Sequence, residues 1–212
     1  MGFFIIILHM GIFQQIWEGI LATTWLEGLG VLTGVTYVVL AAKKLIACWA
    51  FAIVSTSIYI YLCYTSSLYI ESGLQVFYLV MGVYGWIKWS QDQDKELPIQ
   101  RWSINNHLIN ILISGIVTLI LGFVMSTYTT QESPYLDSFT TIFSLAATFM
   151  VTQRVLENWI YWVVIDLGLA VLYSSRELYL TGVQYAIFAI VAGFAFYSWS
   201  IYYSKQKKEK KT

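Results

Sequence analysis

Shifted by 110 residues against itself, the chain aligns without a gap from Trp25 to Trp89. Trp49 then falls on Trp159 and Trp89 on Trp199, while Leu68–Tyr69 falls on Leu178–Tyr179, Lys44 on Arg154 and Glu27 on Asp137. Tryptophan is rare, so two such coincidences in one ungapped frame mark an internal duplication. In an apolar chain, a duplication implies two half-units enclosing a path or site between them.

The chain is that apolar: 58% of its 212 residues are hydrophobic and 11% are charged, with a mean hydropathy of +0.65. Soluble domains carry roughly 25% charged residues, so lipid is the expected solvent. Crossing the hydrocarbon core takes about 20 apolar residues of helix. Seven stretches qualify: 25–42, 45–63, 71–89, 107–127, 137–153, 157–174 and 181–203. With their ends assigned alternately to two sides, 11 of the 12 Lys and Arg fall on one side, and only Arg176 falls on the other. Cytoplasmic loops carry the excess of Lys and Arg, which places the N-terminus outside and the C-terminus in the cytoplasm. The aromatic content of 17% suits interfacial belts, with some rings left to line an interior.

Residues 1–24 are expected to form an interfacial segment. No Lys or Arg precedes the apolar run Phe3–Leu8, which argues against a secretory signal. His9, Gln14, Gln15 and Glu18 make a poor spanning helix, whereas Phe13 and Trp17 share one face of an amphipathic one. If this segment did span, only the N-terminus would change sides. Cys48 and Cys63 lie on one span, roughly 22 Å apart along a helix, too far to bond. Neither belongs to a metal-ligand spacing, so both read as packing residues. No metal or cofactor site is expected.

Parity decides the organisation. Repeat 1 (25–89) holds three spans and repeat 2 (137–203) holds three more. The connector 90–136 contains a linker helix, 107–127, with no counterpart. Three helices reverse the side on which the chain emerges and a fourth restores it, so the halves point the same way. The expected fold is therefore all-α, with seven transmembrane helices in two parallel three-helix repeats, the SWEET-like 3+1+3 plan. Gly30 and Gly34 allow close helix contact. The polar run 90–106 reads as solvent-exposed loop. The Lys-rich tail 204–212 reads equally as an anchor on anionic lipid or as a solvated end.

Asp166 is the costliest residue. Near the middle of span six, an ionisable group costs at least a few kcal/mol unless it faces protein or water. Trp159, Trp162, Asp166 and Tyr173 stand at i, i+3, i+7 and i+14, on one narrow helical face. A carboxylate flanked by indoles and a phenol suits a flat, cationic, hydroxyl-bearing solute, with cation–π attraction adding about 1–2 kcal/mol. The plainer reading is an Asp hydrogen-bonded to a neighbouring helix. Span three repeats the spacing with Gln75, Tyr78, Gly82 and Trp89, where Gln75 both donates and accepts. Trp86 and Trp89, beside Lys88, fit either this site or a cytoplasmic aromatic belt. The repeat mate of Asp166 is Thr56, so the charge is one-sided. At the start of span six, Asn158 joins the candidate set, while Glu157 reads as a helix-dipole cap, as do Glu27 and Asp137. His9 and His107 read as interfacial. No zinc-protease helix, nucleophile elbow or phosphate loop is present in the sequence, so no enzyme is expected.

These residues resemble the PnuC family of vitamin transporters over about Trp25 to Trp199. The resemblance rests on Gln75-Val-Phe-Tyr, Tyr84-Gly85-Trp86 and Trp89, and on Arg154, Glu157-Asn158-Trp159 and Trp162-Val-Val-Ile-Asp166. It implies a bacterial cytoplasmic-membrane protein, a homotrimer, and facilitated diffusion of nicotinamide riboside without ion coupling, with a cytoplasmic kinase trapping the solute by phosphorylation. It also implies substrate contacts at Trp159, Trp162, Asp166 and Gln75. One departure stands out: nicotinamide riboside transporters of this type commonly carry Asn where this chain has Asp166. Nicotinamide riboside and thiamine are both cationic at the ring, so a carboxylate suits either; neutral riboflavin suits it less. The other readings are a proton-coupled carrier or channel using Asp166 as a relay, and a non-transporting scaffold or membrane enzyme. No nucleic-acid partner is expected.

Overall fold

The computed structural model describes residues 14, 17, 21, 24–65, 69–91, 98–130, 132–176 and 179–209. Of the N-terminal segment 1–24, this covers only Gln14, Trp17 and Leu21, which are helical and exposed, and Thr24; the expectation for the rest lies outside the described residues. Seven helices follow: α1 Trp25–Ala42, α2 Cys48–Thr65, α3 Tyr69–Ser90, α4 Ile104–Tyr128, α5 Pro134–Thr152, α6 Asn158–Ser175 and α7 Tyr179–Glu209. Each lies within a few residues of its expected span, except that α7 runs on into the Lys-rich tail.

Four of them, α1, α2, α4 and most of α7, are long and apolar enough to cross a membrane. The other three carry the polar interior: Gln75 on α3, six Ser and Thr residues on α5, and Asn158 and Asp166 on α6. The amphipathicity of α4 is inside out. Leu108, Leu112, Ile116, Leu119 and Phe123 are exposed, while Ser114, Thr118 and Gly122 are buried. Many hydroxyls return to their own helix, as Thr33 does to Leu29 O at 2.7 Å and Thr148 to Ser144 O at 2.8 Å. Such back-bonding satisfies a hydroxyl without a partner helix.

Local structure repeats at the same offset as the sequence. Among the described residues, Lys44 and Arg154, which are repeat mates, are the non-glycine residues with positive φ, at 60° and 53°. The turns around them carry matching bonds: Lys44 N–H to Ala41 O and Arg154 N–H to Val151 O, both 2.9 Å, and Leu45 N–H to Leu40 O and Val155 N–H to Met150 O, both 3.0 Å. This is a helix C-cap in which a left-handed residue closes the last turn, a place normally taken by Gly. The long side chains explain the exception. The Lys44 ammonium lies over the Tyr202 ring, and the Arg154 guanidinium is 4.2 Å from the centroid of the Trp89 ring.

Packing follows the repeat too. α1 packs on α2 and α2 on α3; α5 packs on α6 and α6 on α7; across the halves, α1 meets α7 and α3 meets α5, with α4 laid against α5. The α1–α2 contact uses the small residues as expected: Ser55 Oγ donates to Gly30 O at 2.9 Å, and a Cβ on Gly34 would lie 3.2 Å from Ser55 Oγ. Cys48 and Cys63 are not joined in a disulfide, and Cys48 is buried. Gly85 is tighter still, because a Cβ there would come within 2.5 Å of the buried Trp49 ring. Gly85→Val is therefore expected to destabilise the protein by about 1–3 kcal/mol through overpacking. The thermal unfolding midpoint in detergent is the readout, and an unchanged midpoint would contradict this packing.

The polar run 90–106 is not simply a solvated loop, as its composition suggests. Residues 92–97 lie outside the described residues, but Ile99 is buried in the core, and its N–H meets Gln206 Oε1 at 3.2 Å. Gln100 makes a short parallel bridge with Val155, its N–H reaching Arg154 O at 3.0 Å and its carbonyl accepting from Leu156 N–H at 2.8 Å. The start of the tail is likewise ordered, because Gln206 ties α7 to the connector. Hence Lys44, Arg154, Arg101 and the tail share one end of the bundle. Arg176 sits at the other, paired with Asp137 at 2.6 Å.

Candidate functional site

Two layers of the interior concern the site. At the basic end, Trp49 and Trp89 meet edge to face at 5.3 Å and 87°, and their mates Trp159 and Trp199 do so at 5.5 Å and 86°. The indoles then cross between halves. Trp89 Nε1 donates to Thr152 O at 3.1 Å, and Trp199 Nε1 donates to Ala42 O at 3.0 Å. Thr152 and Ala42 are themselves repeat mates, so each half closes the last turn of the other's first helix. An edge-to-face aromatic pair adds about 0.5–1.5 kcal/mol beyond its buried area. Together with the two bonds, this layer seals the basic end.

The middle layer holds Asp166, which is 4% exposed. Among the described residues, no Lys, Arg or His lies within ion-pair distance of it, and no side chain hydrogen-bonds to it. Its mate Thr56 instead turns back on its own helix, donating to Ala52 O at 2.9 Å. Phenols from four helices gather nearby. Tyr185 on α7 lies within electrostatic range of Asp166, Tyr173, Tyr78 and Tyr59. Tyr78 stands beside the Ser144 hydroxyl of α5 and against Phe77. Tyr173 stacks flat on Tyr185, 5.4 Å between centroids and 7° apart.

The candidates read from sequence are thus divided. Asp166, Tyr78 and Tyr173 share this middle region, and Gln75 is half-buried on α3 one turn from Tyr78. Trp162 is half-buried against the core. Trp159 lies in the indole seal, 3% exposed and edge-on to Trp199. Asn158 is fully buried at the start of α6, its amide donating to Val155 O at 2.6 Å. Trp86 faces outward at 39% exposure.

Two expectations are corrected. Glu157 occupies the N-cap position of α6 as expected but makes no side-chain cap bond there. It is buried and accepts from Arg101 Nε at 2.6 Å and from Trp102 N–H at 3.3 Å. The hydrogen bond and charge of that carboxylate raise the Arg101 pKa above its ordinary value. His107 is not merely interfacial: its Nε2 lies 3.8 Å from Glu157, and its Nδ1 is 3.1 Å from the Tyr161 hydroxyl. These groups are 50 or more residues apart in sequence, so no local pattern announces them. Asp137 occupies the first turn of α5, as a dipole-complementing residue should, and adds the pair to Arg176. Tyr185 went unread although a signal existed, since it is the repeat mate of Gln75.

A multi-pass helical bundle, closed at one end by packed indoles and holding a buried carboxylate with no ionic partner among the described residues, has the build of a small-solute membrane transporter. A family model described as nicotinamide mononucleotide transporter matches residues 24–201. The chain belongs to that family, the PnuC transporters. It is 23% identical over 197 residues to the nicotinamide riboside transporter PnuC of Escherichia coli (strain K12), covering 80% of this chain and 82% of that protein. The PnuC of Haemophilus influenzae is 23% identical over 206 residues, covering 93% of this chain and 89% of its own. The crystal structure of the vitamin B3 transporter PnuC shares the fold, with a TM-score of 0.70 at 20% identity over 97% of this chain and 93% of that one.

Proposed function

We propose that the protein is a uniporter that carries nicotinamide riboside across the cytoplasmic membrane by alternating access between its two halves. The observation that carries this reading is Asp166: a buried carboxylate with no described cationic or hydrogen-bonding partner, in a chain whose solvent is lipid. Holding such a group ionised is costly unless something neutralises it, and a cationic pyridinium solute would do so. Gln75 and Tyr78 supply hydrogen bonds from the first half, Trp162 supplies an aromatic face, and Trp159 and Asn158 support the floor. The names of the relatives support the choice of vitamin.

In this reading all seven helices span, in the parallel 3+1+3 plan, and the matching contacts at an offset of 110 residues favour it. The gathering of basic residues at one end favours a cytoplasmic C-terminus. The chain assembles as a homotrimer, and a cytoplasmic kinase phosphorylates the solute and traps it, so no ion gradient is needed. A second reading, thiamine as the solute, is favoured by the carboxylate at position 166 where nicotinamide riboside transporters of this type commonly carry Asn.

The test is a Trp-fluorescence titration of purified protein with nicotinamide riboside, thiamine and riboflavin, joined to initial-rate uptake into liposomes. Saturable binding and uptake of nicotinamide riboside, unchanged when the proton gradient is collapsed, is expected. Thiamine binding alone would select the second reading. Uptake that stops with the gradient would indicate proton coupling, and no response to any of the three vitamins would remove the transporter assignment.

A further inference from the structure

We propose that Tyr185 is a specificity-determining residue of this site: its ring, backed by Tyr173, and its hydroxyl hold the hydroxyl-bearing portion of the solute while Asp166 meets the cationic ring. The proposal rests on the reading of Asp166 as the solute's counter-charge and goes beyond it by naming the group that discriminates among cations.

Tyr185 owes its position to the start of α7. Gly182, three residues earlier on the same face, lies so close to α6 that a Cβ there would be 2.5 Å from Ser174 Oγ and 3.2 Å from Ala170 O. That contact turns the face of Gly182, Tyr185, Ala189 and Ala192 inward. The Tyr185 ring is then fixed from two directions, flat against Tyr173 at 5.4 Å and edge-on to Phe188 at 5.9 Å and 84°. A ring held on two sides loses little freedom when a ligand arrives, which is the condition for a precise contact.

Its chemistry complements its surroundings. Tyr185 lies within electrostatic range of Asp166 on α6, Tyr78 on α3 and Tyr59 on α2, groups contributed by three other helices. No described side chain hydrogen-bonds to its hydroxyl, whereas Tyr161 and Tyr84 are bonded to His107 and Gln153. The duplication supports the same role. Gln75, the mate of Tyr185, is a hydrogen-bonding residue on the equivalent face of α3. By the duplication, each half thus contributes one such group. A buried group arranged to bond a hydroxyl rejects an analogue lacking it far better than an apolar wall can.

The experiment titrates full-length wild type and Tyr185→Phe by Trp fluorescence with two cations that share a pyridinium ring: nicotinamide riboside, which bears sugar hydroxyls, and 1-methylnicotinamide, which bears none. Wild type is expected to prefer nicotinamide riboside. Tyr185→Phe should weaken that ligand by several-fold to about tenfold, the range of one neutral hydrogen bond, and leave 1-methylnicotinamide unchanged. Tyr185→Leu, which also removes the ring, should weaken both, and a thermal melt of each variant verifies folding. An unchanged ratio of the two affinities in Tyr185→Phe would overturn the proposal. If wild type binds neither cation, the reading of Asp166 has failed instead, which separates the two failures.

Discussion

Asp166→Ala is expected to abolish saturable uptake while the protein still inserts and melts at the same temperature or higher. The sign of the stability change is the informative part. Removing one member of a buried ion pair costs about 3–5 kcal/mol, because the other charge is stranded. Asp166 has no such partner among the described residues, so its removal strands nothing and relieves the cost of a charge in an apolar interior. A residue that destabilises the protein yet is needed for activity is characteristic of a binding site. Hydrogen bonds to a charged group contribute about 1.5–3 kcal/mol, so binding should weaken by roughly 10- to 150-fold. Asp166→Asn keeps the shape and hydrogen bonding, and should retain part of the uptake. Normal transport by the Ala variant, or a large loss of its thermal stability, would show that Asp166 has a structural role instead.

The second large effect is expected at the crossed indoles. In the proposed alternating-access cycle, release at the basic end requires the halves to part where Trp89 meets Thr152 and Trp199 meets Ala42. Replacing both tryptophans with Phe leaves two carbonyls unsatisfied in the closed state, at about 1–3 kcal/mol each, whereas in the open state water can reach them. The equilibrium should therefore shift toward the form open at the basic end. Cys48, buried beside Trp49 at the start of α2, reports this directly. In a Cys63→Ser background, its rate of labelling by a thiol reagent should rise at least about tenfold in the double variant. Unchanged labelling together with an unchanged melting temperature would mean that the indoles do not hold that end closed.

The two expectations differ in where their information came from. Asp166 was conspicuous in the sequence because one ionisable residue in an apolar run is costly wherever the chain goes. The tryptophans were conspicuous as repeat mates, yet their exchange of partners was not. Trp199 and Ala42 are 157 positions apart, and hydropathy and periodicity are properties of neighbouring residues. The same limit hid the contacts of Glu157 with Arg101 and His107, where a first-turn carboxylate looked like a dipole cap. It also hid the docking of Ile99 and Gln100, since a charged loop looks solvated whatever its ends touch. Tyr185 is a different case: the duplication pointed to it through Gln75, but tyrosine is common in such chains and does not stand out alone.

Composition and the spacing of apolar runs were enough to point to an all-helical membrane chain and the approximate ends of its helices, while the motifs around Gln75, Trp159 and Asp166 carried the resemblance to the family to which it belongs. They suffice because lipid forces every backbone polar group into local helical bonds, and local bonds follow local sequence. Tertiary structure alone decided that Trp159 lies in the seal while Tyr185 stands near Asp166, and that Glu157 serves the connector. Those outcomes depend on which helix faces are brought together, a property of the packed whole that no stretch of sequence contains.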